Sequence, residues 1–586
     1  MSSTAIEPVP TPSVIHPNSP GVRVWFPIVL LSVYWGAVLF IHNTDMAMLP
    51  RFISRCVAWA ITLLAFLGWW LFNRRINLRD RFAAVAWFIV ILVVAGILGH
   101  PTIIPVLAIQ GVPTLLTVCT IWLIVSRPWS KPARRIGFLA VLPLTLIPFE
   151  ALRCEGIDGF QRTTVRWRWT QSAEEQFLAS KPDAVLKPIA AGREWTVRPD
   201  DWPAFRGVNR DAVVTGVRLA DDWSTQPPRL IWKQRIGPGW SSLIVVDGFL
   251  FTQEQRDAAE AIVCYDASTG REAWSYEAPG RFNEPVSGLG PRATPAFDRG
   301  RIYALGATGL LSCVSAETGE SIWSRDVKTD AGAKVPQWGY SSSPLVHEGL
   351  VYVFAGGDGG KSLIAYQAES GDIAWTCNRG KLSYSSPQLI PHQGDTLILM
   401  QDNKSVAAVR ASDGVMVWER PNGNETEEPM IQPHLLRGAL LFSAGSGMAR
   451  VDLEAQAPQW TITDRWKSNS VKPDFNDVAV LDGSIYGLDD GILCCVDLET
   501  GRRRWKQGRY GHGQLILLAD QTRLLIATES GEIVQVAARP DRFEELGRFQ
   551  AIEGKLWNHP VIAEGSLFVR NGEEIACFEL QAKPGK

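Results

Sequence analysis

Apolar and polar positions follow two different rules along this chain, and the rules change near residue 150. Before that point the apolar residues form unbroken runs, at 25–41, 56–72, 82–99, 103–125 and 136–149, none of which contains Asp, Glu, Lys or Arg. A bilayer core about 30 Å thick takes roughly 17–25 such residues as a helix. Only a helix satisfies its own backbone groups there. Five transmembrane helices are therefore predicted over 25–150. The fifth run is the shortest; it holds Pro143 and Pro148 and stops at Glu150. Basic residues follow the second run (Arg74, Arg75, Arg79, Arg81) and the fourth (Arg127, Lys131, Arg134, Arg135). The positive-inside rule makes those two loops cytoplasmic. The N-terminus is then inside and the chain after the fifth run outside; without a fifth crossing the rest would be cytoplasmic.

Beyond residue 200 the runs give way to short alternating segments that repeat. YDASTGREAW (265–274), VSAETGESIW (314–323), YQAESGDIAW (366–375) and VRASDGVMVW (409–418) are copies of one decamer. VDLEAQAPQW (451–460) and VDLETGRRRW (496–505) continue the series, and a weaker copy ends at Phe549. Each copy is preceded by an alternating hairpin, such as SLIVVDGFLF or VAVLDGSIYGL, turning on DG or EG. The spacing is that of four-stranded propeller blades. The last copy, 558–580, lacks a closing strand, whereas PRLIWKQRI (228–236) is a strand without a blade. Joining the two closes a ring and removes its free edges. The expected fold is an all-β eight-bladed propeller behind an α-helical transmembrane domain. The repeat tryptophans, Trp232, Trp274, Trp323, Trp375, Trp418, Trp460 and Trp505, are expected to lock neighbouring blades, each with a partner for its indole N–H.

The expected domains are a disordered cytoplasmic tail (1–24), the helical domain (25–150), a linker and lead-in segment (151–227), the propeller (228–580) and a short tail (581–586). Residues 150–200 read as a linker and a helix, with Trp167 and Trp169 near the membrane interface. A formal net charge of −2 gives no electrostatic case for nucleic acid. The nine cysteines include no CxxC pair, which argues against c-type haem and a zinc ribbon. Cys264, Cys313, Cys495 and Cys577 share one slot of the repeat, so Cys494–Cys495 reads as two strand residues rather than a functional pair. AGGDGG (355–360) sits in a hairpin context and not at a strand-to-helix phosphate loop.

At the A-x-D-x-x-T-G-x-x-x-W repeat the chain resembles the quinoprotein-type, PQQ-repeat propellers, over about residues 200–580. WPAFRGVNRD (202–211), GPRATP (290–295) and WNHPV (557–561) resemble bacterial PQQ-binding-like propeller-repeat proteins. The same repeat builds quinone-dependent alcohol and glucose dehydrogenases and the propeller of the outer-membrane assembly machinery. Five membrane runs ahead of a propeller also resemble membrane-bound quinoprotein glucose dehydrogenase. The resemblance implies a bacterial inner-membrane protein with a periplasmic propeller. Its function is then binding of a protein or polymer partner, or PQQ-dependent oxidation of an alcohol or sugar with electrons passed to membrane quinone. The second would need PQQ with Ca²⁺, and the acidic and amide calcium ligands of those enzymes find no residue-by-residue match here.

Candidate ligand-binding residues lie where the inner strands begin, because those ends converge on the channel mouth. They are Trp240, Arg292, Tyr340, Tyr384, Asn476, His512, Asn558 and His559. Aromatic, amide, imidazole and guanidinium groups there suit a small polar or planar ligand, and Arg292 suits an anionic one. The alternative is that they cap strands and hold channel water. His512 and His559 lack an acidic partner at fixed spacing, and no residue is assigned a catalytic role or a metal.

Overall fold

The computed structural model describes residues 22–44, 48–158, 163–180, 189, 192–220, 222–223, 225–284, 286–357, 359–392, 395–422, 428–456 and 459–580. The tails expected at 1–24 and 581–586 lie almost wholly outside them. The chain divides into two compact units, one ending at Thr170 and the other holding Gln171 onward.

In the first unit five helices are long and apolar enough to cross a membrane: Trp25–Asn43, Pro50–Phe72, Leu78–Leu98, Pro101–Val125 and Lys131–Glu150. The fifth is continuous through Pro143 and Pro148. The fourth accommodates its own prolines through a π-turn at Leu107–Gly111, the kind of local adjustment that satisfies backbone groups freed by proline. The helices present large apolar side chains outward, among them Phe40, Leu64 and Ile97. Such faces need lipid or another apolar cover. The reading of 150–200 as linker and helix is incomplete. Leu152–Ile157 and Thr163–Trp167 form an antiparallel hairpin, and Trp167 stacks on Trp169 with ring centroids 5.1 Å apart. The expected helix follows at Ala173–Ser180.

The second unit is an eight-bladed propeller. Its inner strands are Ile244–Val246, Ala296–Asp298, Leu345–His347, Gln388–His392, His434–Leu436, Ala479–Leu481, Gln514–Leu518 and Val561–Ala563, which define blades 1 to 8. Blade 8 closes with Arg229–Arg235, paired antiparallel to Glu574–Glu579. First and last strands of the domain thus share one sheet. Val213–Val214 adds a parallel strand to blade 7. The DG and EG turns have the conformation their chemistry predicts. Asp247, Glu348, Asp482 and Glu564 have φ of 51°, 48°, 45° and 50°, each followed by a positive-φ glycine. Two such residues in succession make the type I′ turn that matches strand twist.

The repeat tryptophans fasten each blade to the next. The indole N–H groups of Trp232, Trp274, Trp323 and Trp375 donate to the carbonyls of Ala267, Ala316, Ala368 and Ala411, at 2.9–3.0 Å. Each ring lies on the turn glycine of that next blade: a Cβ on Gly270, Gly319, Gly371 or Gly414 would approach it to between 2.5 and 2.7 Å. Trp505 donates to Arg539 in the same way.

Blade 5 departs from the expected spacing. Its third and fourth strands run long, Gly447–Gln456 and Gln459–Ser468. The residue opposite Arg450 at the strand bulge is Trp466, not Trp460. Trp466 donates to Leu498 at 2.9 Å and lies on Gly501. Trp460 instead contacts His392 and Trp418. The decamer of blade 5 has no turn glycine, so its strands extend past the usual turn and carry the tryptophan slot six residues on. Among the described residues Trp418, which meets Trp460, has no partner for its N–H. In blade 7 the equivalent position is Gly547 rather than Phe549. Trp223, from the lead-in segment, packs over Gly547 and against Phe549.

Candidate functional site: an aromatic mouth and a plugged channel

Ladder register gives the inner strands a common frame. Ile244, Ala296, Leu345, Gln388, Ala479 and Val561 pair with Phe251, Tyr303, Tyr352, Leu399, Tyr486 and Phe568. His434 and Ile516 occupy the same position in blades 5 and 7. Four residues earlier stand Trp240, Arg292, Ser341 and Tyr384 in blades 1 to 4, then Met430, Phe475, His512 and Trp557 in blades 5 to 8. Tyr340 is therefore one residue out of line with Tyr384, because blade 3 carries three serines before its proline and blade 4 carries two. Tyr340 is a buried residue of the core between blades 2 and 3, its ring over Gly309.

Aromatic groups gather on one side of this mouth. Phe475 stacks on His512 at 5.4 Å and meets Trp557 edge-on at 5.2 Å. Trp557 lies 5.2 Å from Trp240. The Lys555 ammonium sits 3.9 Å above Trp557 and 5.0 Å from Trp240, a favourable cation–π geometry. Glu529 holds the wall in place by accepting from Trp557 Nε1 at 2.8 Å and from the His512 backbone at 3.1 Å. His512 does have an acidic neighbour: Asp474 lies 3.5 Å from its Nδ1. Sequence reasoning missed Phe475, Lys555 and Glu529. Only the register frame, placing Phe475 level with Trp240, would have singled one of them out.

The other candidates are committed to the protein itself. Arg292 donates to Ser287 Oγ at 2.6 Å and to the carbonyls of Gly288 and Gly290, beside Glu284 and over Phe282. Burial pulls its pKa down to about 10 against the pull of Glu284 and Glu260. Tyr384 is buried, with its phenol pushed up to about 12, and accepts from the Trp338 backbone. Asn476 and Asn558 tie neighbouring blades, donating to Gly513 and Ser241 carbonyls at 2.5 and 2.9 Å. The next residue in each blade builds a belt around the channel. Thr294, Ser343 and Ser386 hydroxyls accept from the backbones of Ser242, Thr294 and Ser343 respectively, at 2.9–3.1 Å.

Further along the inner strands the channel is filled by the lead-in segment 202–211. Trp202 pairs with Val245 and the Pro203 carbonyl accepts from Phe297. Phe205 meets the His559 ring edge-on at 5.0 Å. Arg210 donates to Ser343 and Pro344, and Gln388 donates to the Arg210 carbonyl. Arg206 lies 3.4 Å from Asp477, both almost fully buried. His434 and His559 each stand 3.5 Å from the same carboxylate. Arg206 and the two histidines hold Asp477 well below the usual carboxylate range despite its burial. Burial, reinforced by Arg206, keeps both imidazoles below their ordinary pKa and so neutral. His559 is thus part of a closed charge cluster, and the acid it lacked in sequence spacing comes from another blade. Arg206, Arg210 and Ala212 all have positive φ, of 64°, 56° and 57°. The segment is held in a costly backbone path by its surroundings.

Pyrroloquinoline quinone with calcium would need carboxylate ligands and a cation for its acid groups. Among the described residues no group of three or more His, Cys, Asp or Glu side chains is placed to hold a metal ion. Arg292 is already bonded to its own loop. The residues present do not fit that pair.

The chain is a membrane-associated protein with an eight-bladed propeller similar to the PQQ-repeat, BamB-like propellers. Residues 284–507 match the family described as outer membrane protein assembly factor BamB. The assembly factor BamB of Yersinia pestis is 24% identical over 303 residues, 48% of this chain and 71% of that protein. The dehydrogenase subunit of the quinone alcohol dehydrogenase of Gluconacetobacter polyoxogenes is 24% identical over 188 residues. That match spans 30% of this chain and only 24% of the dehydrogenase. The crystal structure of quinohemoprotein alcohol dehydrogenase from Comamonas testosteroni superposes with a TM-score of 0.50 at 11% identity, over 67% of this chain and 82% of that one. At that identity the likeness is one of fold.

Proposed function

We propose that this protein is a membrane-anchored periplasmic propeller that binds a partner at its aromatic mouth and turns nothing over. The observation that supports it best is the mouth's chemistry. Four ring systems and a lysine stand together, their N–H groups anchored to Ser287, Glu529 and Val286 so that the ring faces are held in place, while the arginine, amides and remaining histidine of the region are tied into the fold. Clustered Trp side chains are among the groups that binding surfaces use for affinity. Periplasmic placement rests on the basic loops after the second and fourth helices together with a fifth crossing by Lys131–Glu150. The likeness to an outer-membrane assembly factor is consistent with a protein or polymer partner.

A photoreactive phenylalanine analogue in place of Trp240, in the full-length protein in cells, tests this. Irradiation is expected to give a crosslinked species of defined mass, absent when the analogue replaces Ile322 on the outer strand of blade 2. Equal patterns from both positions, or none from the mouth, would contradict the proposal.

A further inference from the structure

The channel beside the plug holds an arginine that no carboxylate pairs among the described residues. Other deeply buried arginines of the propeller have acidic company. Arg206 has Asp477, Arg256 has Glu254 and Glu272, and Arg379 has Asp402 at 2.9 Å. Arg570 has no ion pair, but it donates to the carbonyls of Gly237, Gly239 and Gln253, and Glu254 lies near enough to favour its charge. Arg210 is only 3% exposed and has no carboxylate partner among the described residues. Its one charged neighbour of consequence is Arg206, which repels it; burial and that repulsion pull it down to about 9. Asp211, next in the chain, turns away to accept from the Val213 backbone at 3.0 Å.

The hydrogen-bonding ledger is also open at this point. Arg210 makes one bond from each terminal nitrogen, and its Nε has no protein partner. The Ser342 and Ser385 hydroxyls, 2% and 0% exposed, have none either. Ser342 precedes Ser343, whose carbonyl Arg210 bonds, and Ser385 precedes Ser386, whose hydroxyl holds the Ser343 backbone. All of these groups can donate. A buried cation normally neutralises or finds a counter-charge, and arginine does not give up its proton in the physiological range. With His434 and His559 neutral, Arg206 is matched by Asp477, and Asp211 lies near His434 but does not act on Arg210, so the Arg210 charge is met by no carboxylate among the described residues.

We propose that this part of the channel binds a small monovalent inorganic anion, of which chloride is the test case, as the counter-ion of Arg210, with the Ser342 and Ser385 hydroxyls as further donors. The anion ties the plug to blades 3 and 4. It is distinct from the mouth, so it stands or falls independently of the proposed partner binding.

The test is thermal unfolding of the full-length protein in detergent as chloride replaces gluconate at constant ionic strength. An anion that binds only the folded state raises the midpoint with the logarithm of its concentration above its dissociation constant. A saturation-type rise is expected in the wild type, its loss in Arg210→Met, and a weakened response in the Ser342→Ala, Ser385→Ala double variant, which keeps the arginine. Crystals of the wild type soaked in bromide should show an anomalous peak within hydrogen-bonding reach of Arg210. A chloride-independent midpoint in the wild type, an unchanged response in a folded Arg210→Met, or bromide elsewhere only, would overturn the assignment.

Discussion

Replacing Trp466 by Ala is expected to destabilise the propeller by about 2–3 kcal/mol, below the roughly 3–5 kcal/mol for a fully buried aromatic because its ring is part-buried. The same change at Trp460 should cost less than half as much. Trp466 lies on Gly501, donates to the Leu498 carbonyl and so clasps blade 5 to blade 6. Its loss leaves a gap between the blades and removes one of the two donors to the Leu498 carbonyl, the other being Arg450 at 3.0 Å. Trp460 is half-buried like Trp466, but among the described residues it has no partner for its N–H and rests only on His392 and Trp418. Chemical unfolding of the two variants checks this directly. Equal losses, or a larger loss at Trp460, would show that the slot in blade 5 has been placed wrongly.

Arg206→Ala is the second large effect. It strands Asp477 in the channel with two neutral histidines, and removing one partner of a buried ion pair typically costs about 3–5 kcal/mol. The pH profile should change with it. In the wild type His434 and His559 have lowered pKa values, so their contribution is complete above the unfolded value of about 6.5 and declines as pH falls below it. In the variant the Asp477 carboxyl has lost the cation that holds it low, so it protonates at higher pH. Acidification from pH 7.5 to 5 should therefore narrow the gap between variant and wild type, measured by thermal melts. A constant gap over that range would mean that Arg206 does not set the charge state of Asp477.

Much of the architecture is legible in the sequence because it rests on local, repeated chemistry. Aspartate–glycine turns, alternating strands and a tryptophan slot each dictate their conformation from neighbouring residues. Closure of blade 8 by Arg229–Arg235 is legible for the same reason: an unpaired strand at one end matches a missing one at the other. The misplacements arise where the local rule is broken and tertiary packing decides. Trp460 fits the written spacing, but without a turn glycine the strands of blade 5 run on to Trp466. Tyr340 resembles Tyr384 in sequence, yet one extra serine moves it from the mouth into the core. The plug is visible only as a motif, WPAFRGVNRD, because its contacts are with blades between 43 and more than 350 residues away in the chain. No periodicity reports such contacts. Of the eight candidate residues, the structure brings Trp240 and His512 together at one wall, whereas Arg292, Asn476 and Asn558 are bonded into loops and neighbouring blades.

On our proposal the mouth binds a partner and does not take a quinone cofactor. The most direct measurement is calorimetric titration of the full-length protein in detergent with pyrroloquinoline quinone in the presence of Ca²⁺. No saturable heat is expected, since Arg292 is held by its loop and no carboxylate cluster among the described residues stands ready for the metal. Saturable binding that is lost in Trp240→Ala, together with dye reduction by an alcohol or sugar, would contradict the account.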